Sequence, residues 1–505
     1  MKLLSKLFLA LLLTITFSCD KNDDDESKNP PVSTKVNFQY KATIKAGGKG
    51  ASEITAFDPI SNKIFVVNVE SQQISVFNIT NINAPVEETP ISLAAYGSPN
   101  SVDINNGRLA IAVEDHNKQN PGKILLYNTE NNLLINQFTV GSLPDMVKFT
   151  KNGKQLISAN EGEPNDSYTV DPLGTVSIID LETFEVTTLN FQNFNYLETA
   201  LKNQGFRVFG PNATLAQDVE PEYIAVSEDS KIAWVALQEN NGIAKIDLVG
   251  KSIAAIFPLG FKDYNTAGNE IDASDKDDVK ELKKWPVKGM YQPDGIVAVT
   301  INGMEYLISA NEGDSRDYSG FSEETRVAEL TLDPTAFPES FDYQNNVNLG
   351  RLKTTNTLGD TDEDGDIDVI YSYGARSFTV WSPNANLIYD SGNSIATETL
   401  ATTPNRFNDD DNRSDDKGAE PEGLDVLNIN NERYILFVGL ERNDQVMVYD
   451  ITVPSAPVFL SILSHEGDEA PEGILAITAE NSPTGKALLV VSNEDSGTIS
   501  FYENN

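Results

Sequence analysis

Seven stretches of the chain share one arrangement of apolar and polar positions. They are ASEITAFDPISNKIFVVNVE (51–70), PNSVDINNGRLAIAVE (99–114), PDMVKFTKNGKQLISANE (144–161), PEYIAVSEDSKIAWVALQE (221–239), PDGIVAVTINGMEYLISANE (293–312), PEGLDVLNINNERYILFVGLE (421–441) and PEGILAITAENSPTGKALLVVSNE (471–494). In each, a short alternating run passes through a turn rich in Asn, Gly, Ser or Asp into a more continuously apolar run, which predicts a hairpin. A third strand follows every terminal glutamate, as ISVFNI, KILLYN, VSIID, IAKID, VAELTL, VMVYD and ISFYE. A fourth, weaker strand follows in most, as INQFTV, EVTTLN, IAAIFPL and FLSIL. Four antiparallel strands in units of about 45 residues, repeated around an axis, predict an all-β fold, a β-propeller of four-stranded blades whose radial stacking buries both faces of each sheet.

The last unit reaches Asn505 after three strands, and KVNFQYKATI (35–44) is expected to supply its outer strand and close the ring. Two long intervals carry insertions. One contains NYLETALKNQG, a short helix stopped at Gly205; the other contains DASDKDDVKELKKW, where Val279, Leu282 and Trp285 share a helical face behind an acidic first turn. The interval from Glu312 to Glu441 has room for a further unit, and 367–402 has strand patterning without the starting motif, so it reads as a degenerate blade. The expected total is eight blades, with seven as the alternative.

Before the repeats, Lys2 and Lys6 precede the apolar run Leu7–Phe17, which is too short to span a bilayer, and Thr16-Phe17-Ser18-Cys19 closes it. This resembles a bacterial lipoprotein signal over 1–18, in which Cys19, the single cysteine, is the residue that receives lipid; Thr16 stands where leucine is usual. Residues 19–34 are polar and Pro-containing and are expected to form a disordered acidic tether. The run Asp23–Glu26 resembles the export tag of surface-displayed lipoproteins in Bacteroidetes-type bacteria, with a solvated linker as the alternative. Residues 35–505 then form a single propeller domain, and the expected location is the outer membrane or cell surface, held to the membrane only through lipid.

Charge narrows the chemistry. The 505 residues hold 37 Lys+Arg against 76 Asp+Glu, a formal charge of -39, which repels phosphate backbones and argues against a nucleic-acid partner. Only His116 and His465 accompany the one cysteine, so zinc sites of imidazole and thiolate are excluded and a bound metal is expected to be a hard, oxygen-loving ion such as Ca²⁺. Neither histidine has a nucleophile motif beside it, and each reads as an exposed loop residue; no organic cofactor is implied.

In a propeller the start of the first strand and the end of the second lie on one rim. Strand starts carry Glu53, Asn100, Asp145, Glu222, Asp294, Glu422 and Glu472; strand ends carry Glu70, Glu114, Glu161, Glu239, Glu312, Glu441 and Glu494. Gathering these carboxylates raises their pKa values unless cations compensate. Each glutamate taken singly also reads as a bond to backbone amides between repeats. Glu222 and Asp294 are candidate metal ligands, and Glu161, Glu312, Glu422, Glu472 and Glu494 candidate catalytic carboxylates. The scarce basic residues Arg316, Arg376, Arg413 and Lys417 fall near strand starts and ends and are expected to reach the same rim, as an anion cradle or as salt bridges. Asp360, Asp362, Asp364, Asp366 and Asp368 alternate around Gly365, the arrangement of a loop that wraps one Ca²⁺, although Tyr371 stands where an EF-hand has its bidentate Glu.

The stretches SANEGEPNDSYTVDPLGTVSIIDL (158–181), SANEGDSRDY (309–318), DTDEDGDIDVIYSYGARSFTVW (360–381), RSDDKGAEPEGLDV (413–426) and APEGILAI (470–477) resemble the choice-of-anchor I family of secreted or surface-anchored bacterial β-propellers. Its members are described as alkaline phosphatase-like or as relatives of a cell-surface glycoprotein. The resemblance fixes fold and location more than activity; for an enzyme, the acidic rim favours metal-assisted hydrolysis of phosphate monoesters, with rim calcium holding a small phosphorylated substrate and Arg316, Arg376 or Arg413 neutralising charge. The alternative is a non-enzymatic module that binds a surface ligand or mediates adhesion on the same face.

Overall fold

A computed structural model describes residues 34–505; Cys19 and the 1–18 signal lie outside the described residues, as does all of the 19–34 tether but Thr34. The alternating runs form strands, and seven four-stranded sheets of antiparallel strands result. Their first strands are Thr55–Asp58, Pro99–Asn105, Pro144–Phe149, Ile224–Val226, Ile296–Ile301, Pro421–Ile429 and Pro471–Ile477. The second strands are the apolar runs, and several, such as Lys63–Asn68 and Leu488–Asn493, are buried along their whole length. Each first strand touches the first strand of the next sheet in chain order, and that of the last sheet touches that of the first.

Adjacent sheets pack face to face. Phe65 and Val67 of one meet Val102, Ile111 and Leu125 of the next, and Leu427, Ile435 and Phe437 meet Leu489, Val491 and Tyr502. Burying each such side chain contributes about 1.5–3 kcal/mol, so the sheet stack is the main source of stability. Phe38–Lys45 pairs antiparallel with Thr498–Asn504, from Phe38 opposite Asn504 to Lys45 opposite Thr498, and so completes the last sheet. The fold is all-β and propeller-like.

Two expectations about the insertions need correction. Segment 367–402 is not a separate blade. Its strands Ser377–Trp381 and Leu387–Asp390 are the third and fourth of the sheet begun by Ile296–Ile301 and Met304–Asn311. VAELTL, expected as that third strand, instead holds a short 3-10 turn at Val327–Glu329. Pattern alone could not choose between two apolar runs competing for one position. Met304–Asn311 takes the later one, where Asn311 Nδ2 donates to Ser377 and Thr379 hydroxyls at 3.1 and 2.7 Å.

The displaced residues build a five-stranded mixed sheet of Phe261–Asp263, Val287–Met290, Ile370–Ser372, Lys353–Thr355 and Glu324–Arg326, over a small core of Tyr264, Val287, Phe337, Leu349 and Ile370. The helix expected over DASDKDDVKELKKW is absent; the segment is irregular, with one bridge between Ile271 and Lys283. Asp272 accepts hydrogen bonds from the backbone N–H of Ser274 and Glu281, so the acid ties the chain into turns in competition with a helix. The other insertion does hold a short helix, Glu198–Lys202.

Candidate metal centre

The repeated Pro-acid dipeptide aims its carboxylate through a local irregularity in the strand. Pro99 pairs with Val113, Pro144 with Asn160, Pro421 with Leu440 and Pro471 with Asn493, and in each sheet the register slips immediately afterwards. The residue after proline, Asn100, Asp145, Glu422 or Glu472, falls in the slip, and such bulges re-aim a side chain out of the alternating pattern. Strand-start and strand-end acids therefore meet at one end of the first-strand ring.

There they line a cavity of about 420 Å³. Its carboxylates are Asp145, Glu161, Glu163, Glu222, Glu239, Asp294, Glu312, Asp314, Asp317, Glu422 and Glu472, and no lysine, arginine or histidine lines it. Ile54, Met146 and Tyr223 form the floor shared with a second cavity of about 220 Å³, lined largely by apolar strand residues.

Crowding and burial oppose ionisation here. Just outside the lining, burial, then Glu494 and Asp145, push Glu53 up to about 8. Burial and nearby Glu163 carry Asp145 to about 6. Glu161, Glu222, Asp294, Glu422 and Glu472 are all driven well above the ordinary carboxylate range, by burial first and by neighbouring acids second.

Not every rim acid joins. Glu70 is exposed and accepts from Gly48 N–H at 2.8 Å, and Glu114 is outside the cavity lining. Glu494, expected among the catalytic group, also does not line it and lies 4.0 Å from Lys49. Asn100 donates from Nδ2 to the carbonyl of Pro144 at 3.2 Å, a bond between neighbouring sheets.

The basic residues behave as salt bridges and braces, and the expected anion cradle is not assembled by them. Arg316 is 2% exposed and sits behind the cavity, on Asp218 at 2.6 Å and Glu220 at 3.0 Å, with Phe209 under its guanidinium. Arg376 donates to the backbone carbonyls of Asp272, Ser414 and Asp416 and is committed to holding loops together. Arg413 is bound to Glu420 and Asp416, and Lys417 to Glu312 at 2.5 Å and Glu420 at 3.3 Å. With so few cations among so many buried acids, each is drawn to an internal carboxylate or carbonyl.

Glu220, Asp218, Glu163, Asp314 and Arg442 were missed by the sequence reading. A signal existed for three of them: Glu163 and Asp314 both stand two residues beyond a strand-end glutamate in N-E-G-acid, and Glu220 opens an E-P-E repeated at 420–422. In both E-P-E copies the second glutamate lines the cavity while the first turns to internal cations.

Three groups of rim acids bring ligand oxygens within 4.8 Å of one another: Glu161/Glu220/Glu239, Asp294/Glu312/Glu422 and Glu312/Glu420/Glu441. In the 360–368 loop only Asp360, Asp362 and Asp368 meet that limit. Asp360 accepts from Asp364 and Gly365 N–H, and Asp368 from Thr361, so the loop is closed by its own acids, leaving Asp364 and Asp366 out of the group. His116 is exposed, whereas His465 is half-buried and stacks on Tyr40 at 3.8 Å, unlike the exposed loop residue expected.

Comparison with known proteins adds a family and a fold. The model of the choice-of-anchor I domain matches residues 53–454. Gigasin-3a of Magallana gigas is 31% identical over 188 residues, 32% of this chain and 66% of that protein, just under two thirds of its length. Among solved structures, Kuenenia stuttgartiensis hydrazine synthase aligns with a TM-score of 0.50 at 10% identity, over 91% of this chain and 97% of that one. The Cps50 (Swd1) β-propeller domain of Myceliophteria thermophila aligns with a TM-score of 0.47 at 8% identity, over 93% and 100%. At such identities the likeness concerns fold alone. No helix among the described residues is long and apolar enough to cross a membrane.

Proposed function

The chain belongs to the choice-of-anchor I family, whose membership suggests a cell-surface protein, and from that premise we propose that it is a calcium-dependent surface module. On this reading the seven sheets are the blades of one closed propeller, with Phe38–Lys45 as the closing strand. Cys19 carries the lipid that holds the chain to the outer membrane or cell surface. Its acidic cavity takes up Ca²⁺, and the bound cation presents positive charge to an anionic group of a surface ligand.

One observation carries the reading: eleven carboxylates and no basic side chain line a single cavity. Such a wall repels anions until cations enter it, and hard cations are the ligands that carboxylate oxygens select. A second calcium on Asp360, Asp362 and Asp368 fits the three oxygens gathered there and would stiffen the approach to Ile370–Ser372.

Hydrolysis of phosphate monoesters is the second reading. It is favoured by two separate three-acid groups that reach one cavity, Asp294/Glu312/Glu422 wholly and Glu161/Glu220/Glu239 through Glu161 and Glu239, since a pair of cations can hold a phosphoryl group and lower the pKa of an attacking water. Arginine assistance is not part of it, because Arg316, Arg376 and Arg413 are committed elsewhere.

The test is calorimetric titration of the purified, chelator-treated protein with calcium, alongside turnover of a chromogenic phosphomonoester. Saturable calcium binding without turnover is the expected result. Calcium-dependent turnover abolished by Glu312→Gln would move the assignment to the second reading. Absence of calcium binding would sink both. Replacement of Cys19 by Ser is expected to release the protein from the membrane fraction, read by detergent partitioning.

A further inference from the structure

The rim contains two corners of similar sequence, each built on E-P-E, and they differ in how their charge is met. Around Glu420 the acids Glu312, Glu420 and Glu441 are neutralised from within. Lys417 Nζ contacts Glu312 and Glu420, Arg413 contacts Glu420 at 2.6 Å, and Arg442 reaches Glu420 at 3.3 Å and Glu441 at 2.9 Å. Three basic groups occupy the space between three carboxylates.

Around Glu220 the supply of cations is much smaller. Arg316 is the one basic group that pairs with the corner itself, shared between Asp218 and Glu220, and the half-exposed Lys118 stands beside it on Glu163 at 3.5 Å. No ion pair reaches Glu161 or Glu239 among the described residues, although their oxygens and those of Glu220 lie within 4.8 Å of one another. Glu239 is only 6% exposed, and its Oε2 has no hydrogen-bond partner. A buried carboxylate oxygen left without a donor costs several kcal/mol unless something positive meets it. Glu222, 7% exposed, lines the same cavity wall as Glu239 and adds to its negative charge.

We propose that Glu161, Glu220 and Glu239 form a discrete site for one divalent cation of the calcium class, with Arg316 as its fixed counter-charge, while the Glu420 corner takes no ion because Lys417, Arg413 and Arg442 already fill it. The inference rests on the cation-holding cavity proposed above and narrows it to one corner. Arg316 acts here as a positioning residue: by gripping Glu220 through Nε and Nη2 it fixes one wall of the site while leaving the other two carboxylates to the ion.

The experiment is titration of the chelator-treated protein with calcium and with terbium, whose emission reports a bound lanthanide directly, in wild type, Glu161→Gln, Glu239→Gln and, at the corner already filled by basic groups, Glu441→Gln. Circular dichroism and thermal melting check that each variant folds; Glu161→Gln, at a half-buried position, carries the test if Glu239→Gln does not fold. Loss of about tenfold or more in affinity in the Glu161 and Glu239 variants, with Glu441→Gln close to wild type, is the expected result. Wild-type binding retained in Glu161→Gln and in folded Glu239→Gln overturns the site but leaves the cavity proposal standing. Equal weakening in all three variants overturns it too, since the ion would then be held diffusely. No binding in the wild type overturns the cavity proposal itself.

Discussion

At Gly423 a Cβ would stand 1.8 Å from the carbonyl oxygen of Glu472 in the neighbouring sheet, and at Gly295 it would stand 2.5 Å from that of Glu422. The glycine after the acid in P-D-G and P-E-G thus lets one sheet close on the backbone of the next, which draws the acids together. Replacing Gly423 with Ala forces backbone apart and is expected to cost about 1–3 kcal/mol, measured by urea unfolding. Arg316→Met leaves Asp218 and Glu220 buried without their counter-charge, and about 3–5 kcal/mol of destabilisation is expected in the same assay. Calcium affinity should be unaffected by Arg376→Met, because that guanidinium meets backbone carbonyls and not the cavity; a large affinity change in titration calorimetry would contradict its placement. The acids after proline were legible because they recur in register. The partners of the arginines were not, because an ion pair such as Arg207 with Glu323 joins residues that nothing local relates.

Among the elements, Phe38–Lys45 is the one whose contribution is easiest to isolate. It covers the open edge of Thr498–Asn504 by backbone pairing, and Asn37 N–H adds a bond to Asn504 Oδ1 at 2.7 Å. Deleting residues 34–46 is expected to lower the melting temperature and to bring concentration-dependent association, read by calorimetry and size-exclusion chromatography, because an uncovered edge strand pairs with other chains. Strand pairs within each repeat could be read from alternation and turn residues. The five-stranded sheet could not, since its parallel pair of Val287–Met290 with Ile370–Ser372 joins two insertions with no shared motif. The helix expected at 272–285 failed for a related reason: acids that favour a helix start by charge also bond backbone N–H groups in turns, and here the turns prevailed.

For the whole molecule, stability should depend on pH through the acids in and around the cavity. A carboxyl whose folded-state pKa is raised stabilises the fold while protonated, and that contribution is lost as pH rises through the folded value. Glu53 and Glu441 rise to about 8 and Asp314 to about 7, in each case with burial as the largest cause. Calcium-free protein is therefore expected to melt at progressively lower temperature as pH increases from about 4.5, where unfolded carboxyls titrate, to about 8, with saturating calcium flattening the profile. Scanning calorimetry with and without chelator checks this, and a melting temperature that rises over that range would contradict it. The sequence by itself determined the all-β repeat, the composition of the rim and the scarcity of histidine and cysteine, because period, punctuation and residue counts are local properties. Only the tertiary structure decided which acids face the cavity and which meet an internal cation. That choice depends on distances between residues hundreds of positions apart, and in a low-dielectric interior those distances govern where charge can be left uncompensated.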